Sequence, residues 1–371
     1  MLRRTFLAGM AAPILGCAPG RAGAEAAAQA PALAVDQLAT GLAAPWGLAF
    51  LPDGAALITE KVGGVRLMRD GAVEEGAVMG GPSRVRADGQ AGLHDIALDP
   101  RFAENGFVYI SFFEDAGPRG RLALYRARFD GRALRDGAVI YRASQRSGTN
   151  HPGGRMCFLP DETLLLFVGL PDNERDAAQD LRSTLGKVLR LTRDGAAAPG
   201  NPFAGRADAA PEIYSYGHRN AMGLAYDRET NIVWLHENGP RGGDELNIIR
   251  AGANYGWPRV TYGREYSGAE ITSIRTAPGV DAPVTQWTPS LAPSGLCVYR
   301  GAMFPHWRGD LLIGMLAGSR IERVRVAGGA VTEREDLLAD RGERIRDVRE
   351  GPDGALYVLT DGGALLRVRA A

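Results

Sequence analysis

The sequence predicts an all-β chain wound into a six-bladed β-propeller of four-stranded antiparallel blades, on three observations. Fifty glycines and 22 prolines among 371 residues favour a turn-rich β chain over a helical one. One hairpin pattern recurs: apolar alternation, a Pro-Asp-Gly-like turn, then a run of aliphatic or β-branched residues. Its copies return at intervals of roughly 50 to 75 residues, the spacing of propeller blades with long connecting loops. No linker interrupts them, so one domain is expected over residues 35–371.

The N-terminus reads as an export signal, with residues 1–24 as the signal peptide. Arg3 and Arg4 open a twin-arginine pattern, and the apolar run over 7–15 is too short to span a bilayer. Two cleavage patterns follow. Ile-Leu-Gly-Cys at 14–17 has the form of a lipobox, which would make Cys17 a lipid anchor, and Ala-Gly-Ala at 22–24 has that of an ordinary signal-peptidase site. The lipobox is the favoured reading, with 18–35 as a tether in the periplasm. No later segment is apolar enough to cross a membrane as a helix.

The blades then follow in order. The first hairpin covers 46–59, and a further strand runs over 64–69. The second combines 94–102 with 107–112, and the third covers 156–168 with a strand at 187–192. The fourth combines 222–227 with 231–235, and the fifth, looser, 295–299 with 310–314. The sixth, 345–360, nearly repeats the first. Cys157 and Cys297 each fall in an expected strand, either as buried free thiols or as partners in a bridge.

Charge narrows the function. Lys and Arg together number 43, as do Asp and Glu, so the formal charge is zero and a nucleic-acid partner is excluded. The loops ahead of the hairpins carry the distinctive polar residues: Gln90 before the second blade, His151 before the third, Arg219 and Asn220 before the fourth, Arg344 and Arg346 before the sixth. Equivalent loops share one end of a propeller channel, so these residues should converge on a pocket suited to a small polyanion. His151 lies in Gly-Thr-Asn-His-Pro-Gly-Gly-Arg at 148–155, a loop by composition. Only five histidines occur in the chain, and this one is suited to accept a proton near neutrality. Taken singly, each arginine could equally pair with a nearby aspartate between blades.

The sequence resembles the soluble aldose sugar dehydrogenases that use pyrroloquinoline quinone (PQQ), the glucose/sorbosone dehydrogenase family. The likeness spans about Leu38 to Arg367. It is carried by Gly-Gln-Ala-Gly-Leu-His-Asp at 89–95, Asn-His-Pro-Gly-Gly-Arg at 150–155, Ala-Gln-Asp-Leu-Arg-Ser-Thr-Leu-Gly-Lys at 178–187 and Ser-Tyr-Gly-His-Arg-Asn at 215–220. Further matches are Glu-Asn-Gly-Pro-Arg-Gly-Gly-Asp-Glu-Leu-Asn at 237–247, Asn-Tyr-Gly-Trp-Pro at 254–258 and Glu-Arg-Ile-Arg-Asp-Val at 343–348. The resemblance implies His151 as the general base that takes the proton of a sugar's C1 hydroxyl while hydride passes to the quinone. It implies cofactor contacts from Gln90, Arg219, Asn220, Arg344 and Arg346. It also implies Ca²⁺ on the backbone carbonyls of Gly239 and Pro240, and a second, structural Ca²⁺ around Glu245 and Tyr255. An aldose is then the substrate and a quinone or cytochrome the external electron acceptor.

The departures from the family pattern are specific. A lysine that usually follows the fifth blade's strand and touches the cofactor is replaced by Ala317. Neither of the chain's two lysines, Lys61 and Lys187, lies nearby, and only Arg320 stands within reach in sequence. Val-Gly-Leu-Pro-Asp-Asn at 168–173 replaces a glycine-rich loop near the site. Two other readings are therefore carried: a degenerate propeller that binds a sugar or anion without turnover, and a propeller lactonase with Ca²⁺ in its channel. The lactonase wants carboxylate and asparagine ligands where this chain offers arginines. Substrate choice is expected to lie in long loops such as 271–286.

Overall fold

The computed structural model describes residues 32–371. The signal peptide, the lipobox at Cys17 and nearly all of the tether lie outside them. Six antiparallel sheets of four strands each make six blades. Their inner strands are Pro45–Phe50, Leu93–Leu98, Gly153–Phe158, Ala221–Asp227, Pro293–Val298 and Ile345–Glu350. Among the described residues helix is confined to short segments of three to seven residues, and none is long and apolar enough to cross a membrane.

Five blades use four strands in sequence order, and the last does not. Its outer strand is Leu33–Ala39, paired antiparallel with Leu365–Ala370, so the first strand of the propeller closes against the final one. The expected tether therefore ends sooner than its composition suggests. The segment 33–39, Leu-Ala-Val-Asp-Gln-Leu-Ala, is a half-buried outer strand, with Leu33, Val35 and Leu38 packed against the neighbouring cores.

Buried apolar residues fall into six clusters, one for each interface between neighbouring blades. Tyr109, Leu122 and Leu124 of the second blade meet Met156, Leu164 and Leu166 of the third, for example. The interface that closes the ring, between blades six and one, is filled like the others by Leu48, Ile58, Leu359 and Leu365.

Every inner strand breaks register with its neighbour near its start: between Pro45 and Gly47, Leu93 and Ile96, Gly153 and Met156, Ala221 and Gly223, Pro293 and Leu296, and Ile345 and Asp347. A bulge re-aims the residues around it. Here it brings charged side chains to the channel. Arg155 is 1% exposed and pairs with Asp347 at 3.0 Å and Asp95 at 3.4 Å. Arg349 closes the set, 2.9 Å from each of the same two aspartates. Cys157 and Cys297 lie below this knot on the inner strands of the third and fifth blades, both as free thiols.

Candidate active site

Above the knot, the loops leading into the inner strands enclose a cavity of about 270 Å³. Gln90, His151, Arg219, Asn220, Arg344 and Arg346 all line it, as do Gly239 and Pro240. The first six, scattered over more than two-thirds of the chain, meet because each stands at the start of its blade's inner strand, and Gly239 and Pro240 join them from the turn after the fourth blade's second strand.

His151 is fixed from three sides. Its amide donates to Gln90 Oε1 at 2.8 Å, and its carbonyl accepts from Arg146 Nη1 at 2.6 Å. The peptide adopts φ 53°, a conformation that non-glycine residues seldom hold unless their surroundings enforce it. On the imidazole, Nε2 faces Arg219 Nη2 at 3.4 Å and Nδ1 faces Asp172 Oδ1 at 3.8 Å. A guanidinium only donates, so these neighbours assign the lone pair to Nε2 and the proton to Nδ1, on the carboxylate side. Burial pulls the imidazole down to about 3; Arg219 and then Arg146 add to the shift, and Asp172 opposes it. Arg155, four residues on, does not approach this ring and lies in the channel below, with its guanidinium 4.0 Å from the Trp46 ring centre.

The arginines are oriented by carboxylates. Arg219 bonds to Asp172 at 3.0 Å and to the Asn238 carbonyl at 2.9 Å. Arg344 and Arg346 share Asp361, at 3.1 and 2.7 Å. Only the Arg219 pair crosses between blades, since Arg344 and Arg346 pair within the sixth, and in each case the aspartate holds the side chain at the cavity wall rather than removing it. Arg320 does not reach the cavity. It is turned outward to Asp336 at 2.7 Å, because its strand runs away from the channel.

The turn after the fourth blade's second strand supplies oxygens. Gly239 has no room for a Cβ, which would stand 2.1 Å from the Gly242 carbonyl oxygen. Its amide bonds to Asp244 Oδ1 at 2.9 Å, and among the described residues no hydrogen bond reaches the carbonyls of Gly239 or Pro240. Those oxygens fit a hard cation. Among the described residues no group of three or more His, Cys, Asp or Glu side chains gathers to hold a metal, so backbone oxygen is the ligand type on offer.

Glu245 and Tyr255 stand apart from this cavity, around a smaller one with Glu237 and Thr261. Burial, with Glu237 beside it, raises the Glu245 carboxyl well above its usual range. The Tyr255 hydroxyl is committed to the Ile248 carbonyl at 2.6 Å and the Arg250 amide at 2.9 Å, which leaves only its backbone carbonyl for a cation.

Sequence reasoning missed Asp172, Tyr266 and Lys61. Asp172 comes from the 168–173 stretch that had read only as a departure, and the one signal for it was an aspartate in that loop. Tyr266, 61% exposed, lines the cavity from ahead of the 271–286 loop. Lys61 follows the first blade's second strand and lines the cavity too, although neither lysine was expected nearby. Four buried polar atoms around the cavity have no hydrogen-bond partner among the described residues: His151 Nδ1, Arg219 Nε, Asn220 Oδ1 and Asn238 Oδ1. Unpaired groups gathered at one place suit a ligand that would satisfy them.

Comparison with known proteins gives a consistent result. The profile of the "Glucose / Sorbosone dehydrogenase" family matches residues 42–367. The chain is 43% identical to the aldose sugar dehydrogenase YliI of Escherichia coli over 344 residues, 90% of this chain and 92% of that protein. It superposes on the apo crystal structure of the soluble aldose sugar dehydrogenase from Escherichia coli with a TM-score of 0.87 at 39% identity, covering 92% of this chain and all of that one. The PQQ-bound aldose sugar dehydrogenase of Streptomyces coelicolor matches with a TM-score of 0.74 at 31% identity, covering 92% of this chain and 99% of that one.

Proposed function

We propose, because this chain belongs to the glucose/sorbosone dehydrogenase family, a quinoprotein reaction: oxidation of an aldose at C1 to the lactone, with PQQ and Ca²⁺ in the cavity. The electrons pass to an external acceptor, a quinone or cytochrome. The observation that supports this reading is the meeting of His151, three arginines and two unengaged carbonyls around one cavity.

Bound there, PQQ supplies a two-electron acceptor and Ca²⁺ a Lewis acid that polarises it. Arg219, Arg344 and Arg346 would hold its carboxylates, Gln90 and Asn220 its remaining polar edge, and Gly239 and Pro240 the cation. Nε2 of His151 receives the proton of the C1 hydroxyl, while the charge of Asp172, 3.8 Å from Nδ1, favours the protonated ring. Anionic ligand charge beside Arg219 would offset only the smaller, coulombic part of the shift, and burial, its largest cause, would still keep the imidazole neutral. A second cation at Glu245 and the Tyr255 carbonyl would relieve the buried carboxylate and brace the turn that carries Gly239. In this reading the leader sends the protein to the periplasm, with Cys17 as its lipid anchor.

The test is reconstitution. Purified apoprotein is loaded with PQQ and Ca²⁺, and aldoses are screened with an artificial dye as acceptor. Reduction of the dye should need quinone, cation and aldose together, and should stop on chelation and resume when Ca²⁺ and PQQ return. Activity that survives exhaustive chelation, in protein without quinone absorbance, would sink the reading. Quinone binding without turnover of any aldose would favour the degenerate-binder alternative. That alternative leans on Ala317, and Lys61 in the same cavity weakens its support.

A further inference from the structure

We infer that Lys61 binds a carboxylate of the cofactor and is the principal free positive charge of the cavity. This rests on the PQQ reading above. The argument begins with charge pairing. Arg219 already faces Asp172, and Arg344 and Arg346 share Asp361, so two carboxylates offset much of what three guanidiniums offer. Lys61 lines the same cavity and, among the described residues, makes no ion pair. Its Nζ donates only to the Gly89 carbonyl, at 2.8 Å. An ammonium has three donors, so two remain for a ligand. The side chain is half-buried, which leaves its charge less screened than on an open surface.

The fold makes room for this lysine. A Cβ at Gly92 would lie 2.2 Å from the Lys61 carbonyl oxygen and 2.5 Å from Lys61 Cγ. Only a glycine there lets the lysine stem lie across the second blade's loop toward the cavity. The amide of Leu93 then bonds to the Lys61 carbonyl at 3.0 Å, which fixes the backbone on both sides. Position matters as well. Lys61 belongs to the first blade, between the sixth-blade arginines and Gln90, so it extends the cationic wall to a side that no arginine covers. The contact also reaches the base. Nζ grips Gly89, and the next residue, Gln90, holds the His151 amide. A ligand carboxylate on Lys61 would therefore tie cofactor loading to the loop that positions His151.

The test is direct titration of PQQ into apoprotein with saturating Ca²⁺, followed by calorimetry, for wild type, Lys61→Met and Lys61→Arg. Losing one charge-assisted contact should weaken binding about 10- to 100-fold in Lys61→Met. Lys61→Arg should recover most of the loss, and the salt dependence of binding should be shallower in Lys61→Met than in wild type. The thermal midpoint of the apoprotein should be the same in all three. An unchanged dissociation constant in Lys61→Met would overturn the inference, as would slower turnover at saturating quinone with affinity intact, since Lys61 would then only prop the Gly89 turn. No saturable binding by wild type would instead overturn the cofactor reading itself, and this inference with it.

Discussion

His151 sits in a left-handed backbone conformation, and the bonds to Gln90 and Arg146 hold it there. Such a residue is aimed by its loop rather than by its own rotamer preference, so its ring can be replaced without moving the cavity. His151→Gln should fold normally and bind quinone nearly as tightly as wild type. Reduction of bound quinone by sugar in a single turnover should fall by roughly 10²–10⁴, the usual contribution of a positioned base. A mutant that reduces its quinone at the wild-type rate would end the assignment. The pH profile follows from the direction of the shift. A lowered value keeps the imidazole neutral, and able to accept a proton, well below its ordinary 6.5. The single-turnover rate should stay level from pH 8 to below 6.5 and fall only in more acid solution. Asp172 opposes the downward shift, so Asp172→Asn should move the acid limb to lower pH still. A limb centred at or above 6.5 in wild type would contradict the burial argument.

Among the elements, the six bulged inner strands do the positioning. Each bulge lies where a loop becomes a strand, so loop residues and the first strand residues face the channel together. The hairpin repeat made these strands legible because apolar alternation and Pro-Gly turns are local signals. It also made legible that Gln90, His151, Arg219 and Arg346 share an end. The bulges themselves have no such signal, and Lys61 shows the result. From sequence it is one charge after a strand, and only the packing of Gly92 against its stem sends it inward. Asp172 was hidden for a related reason. It opens a 3-10 stretch, Asp172–Ala178, whose last carbonyls are gathered by the buried ammonium of Lys187 at 2.7 and 3.0 Å. The Gly239 turn offers a sharper test of an element. Gly239→Ala drives a methyl against the Gly242 carbonyl and must tilt the oxygens assigned to Ca²⁺. The cation needed for half-activation should rise by about 10- to 100-fold, with PQQ affinity at saturating Ca²⁺ little changed. Unaltered Ca²⁺ dependence would remove these carbonyls from the metal site.

The whole ring depends on a closure made by residues from opposite ends of the chain. The strand Leu33–Ala39 shields the edge of Leu365–Ala370, and Leu33 and Val35 pack on one neighbouring core and Leu38 on the other. Pairing across so great a sequence distance carries no local pattern, which is why the start of the strand, 33–35, read as tether. Deleting residues 33–39 should lower the thermal midpoint by roughly 5–10 °C and leave an exposed edge that promotes aggregation. Equal melting of the truncated and full proteins would show that the ring closes without it. The knot of Arg155, Arg349, Asp95 and Asp347 has a kinetic consequence. It stoppers the channel beneath the cavity, so among the described residues the cavity is closed from below and its doorway lies at the upper end. In the proposed reaction the lactone would have to leave before the electron acceptor could come to the same opening. The two reactants therefore take turns, and initial rates plotted at several acceptor concentrations should give parallel double-reciprocal lines, with excess sugar slowing turnover by crowding the doorway.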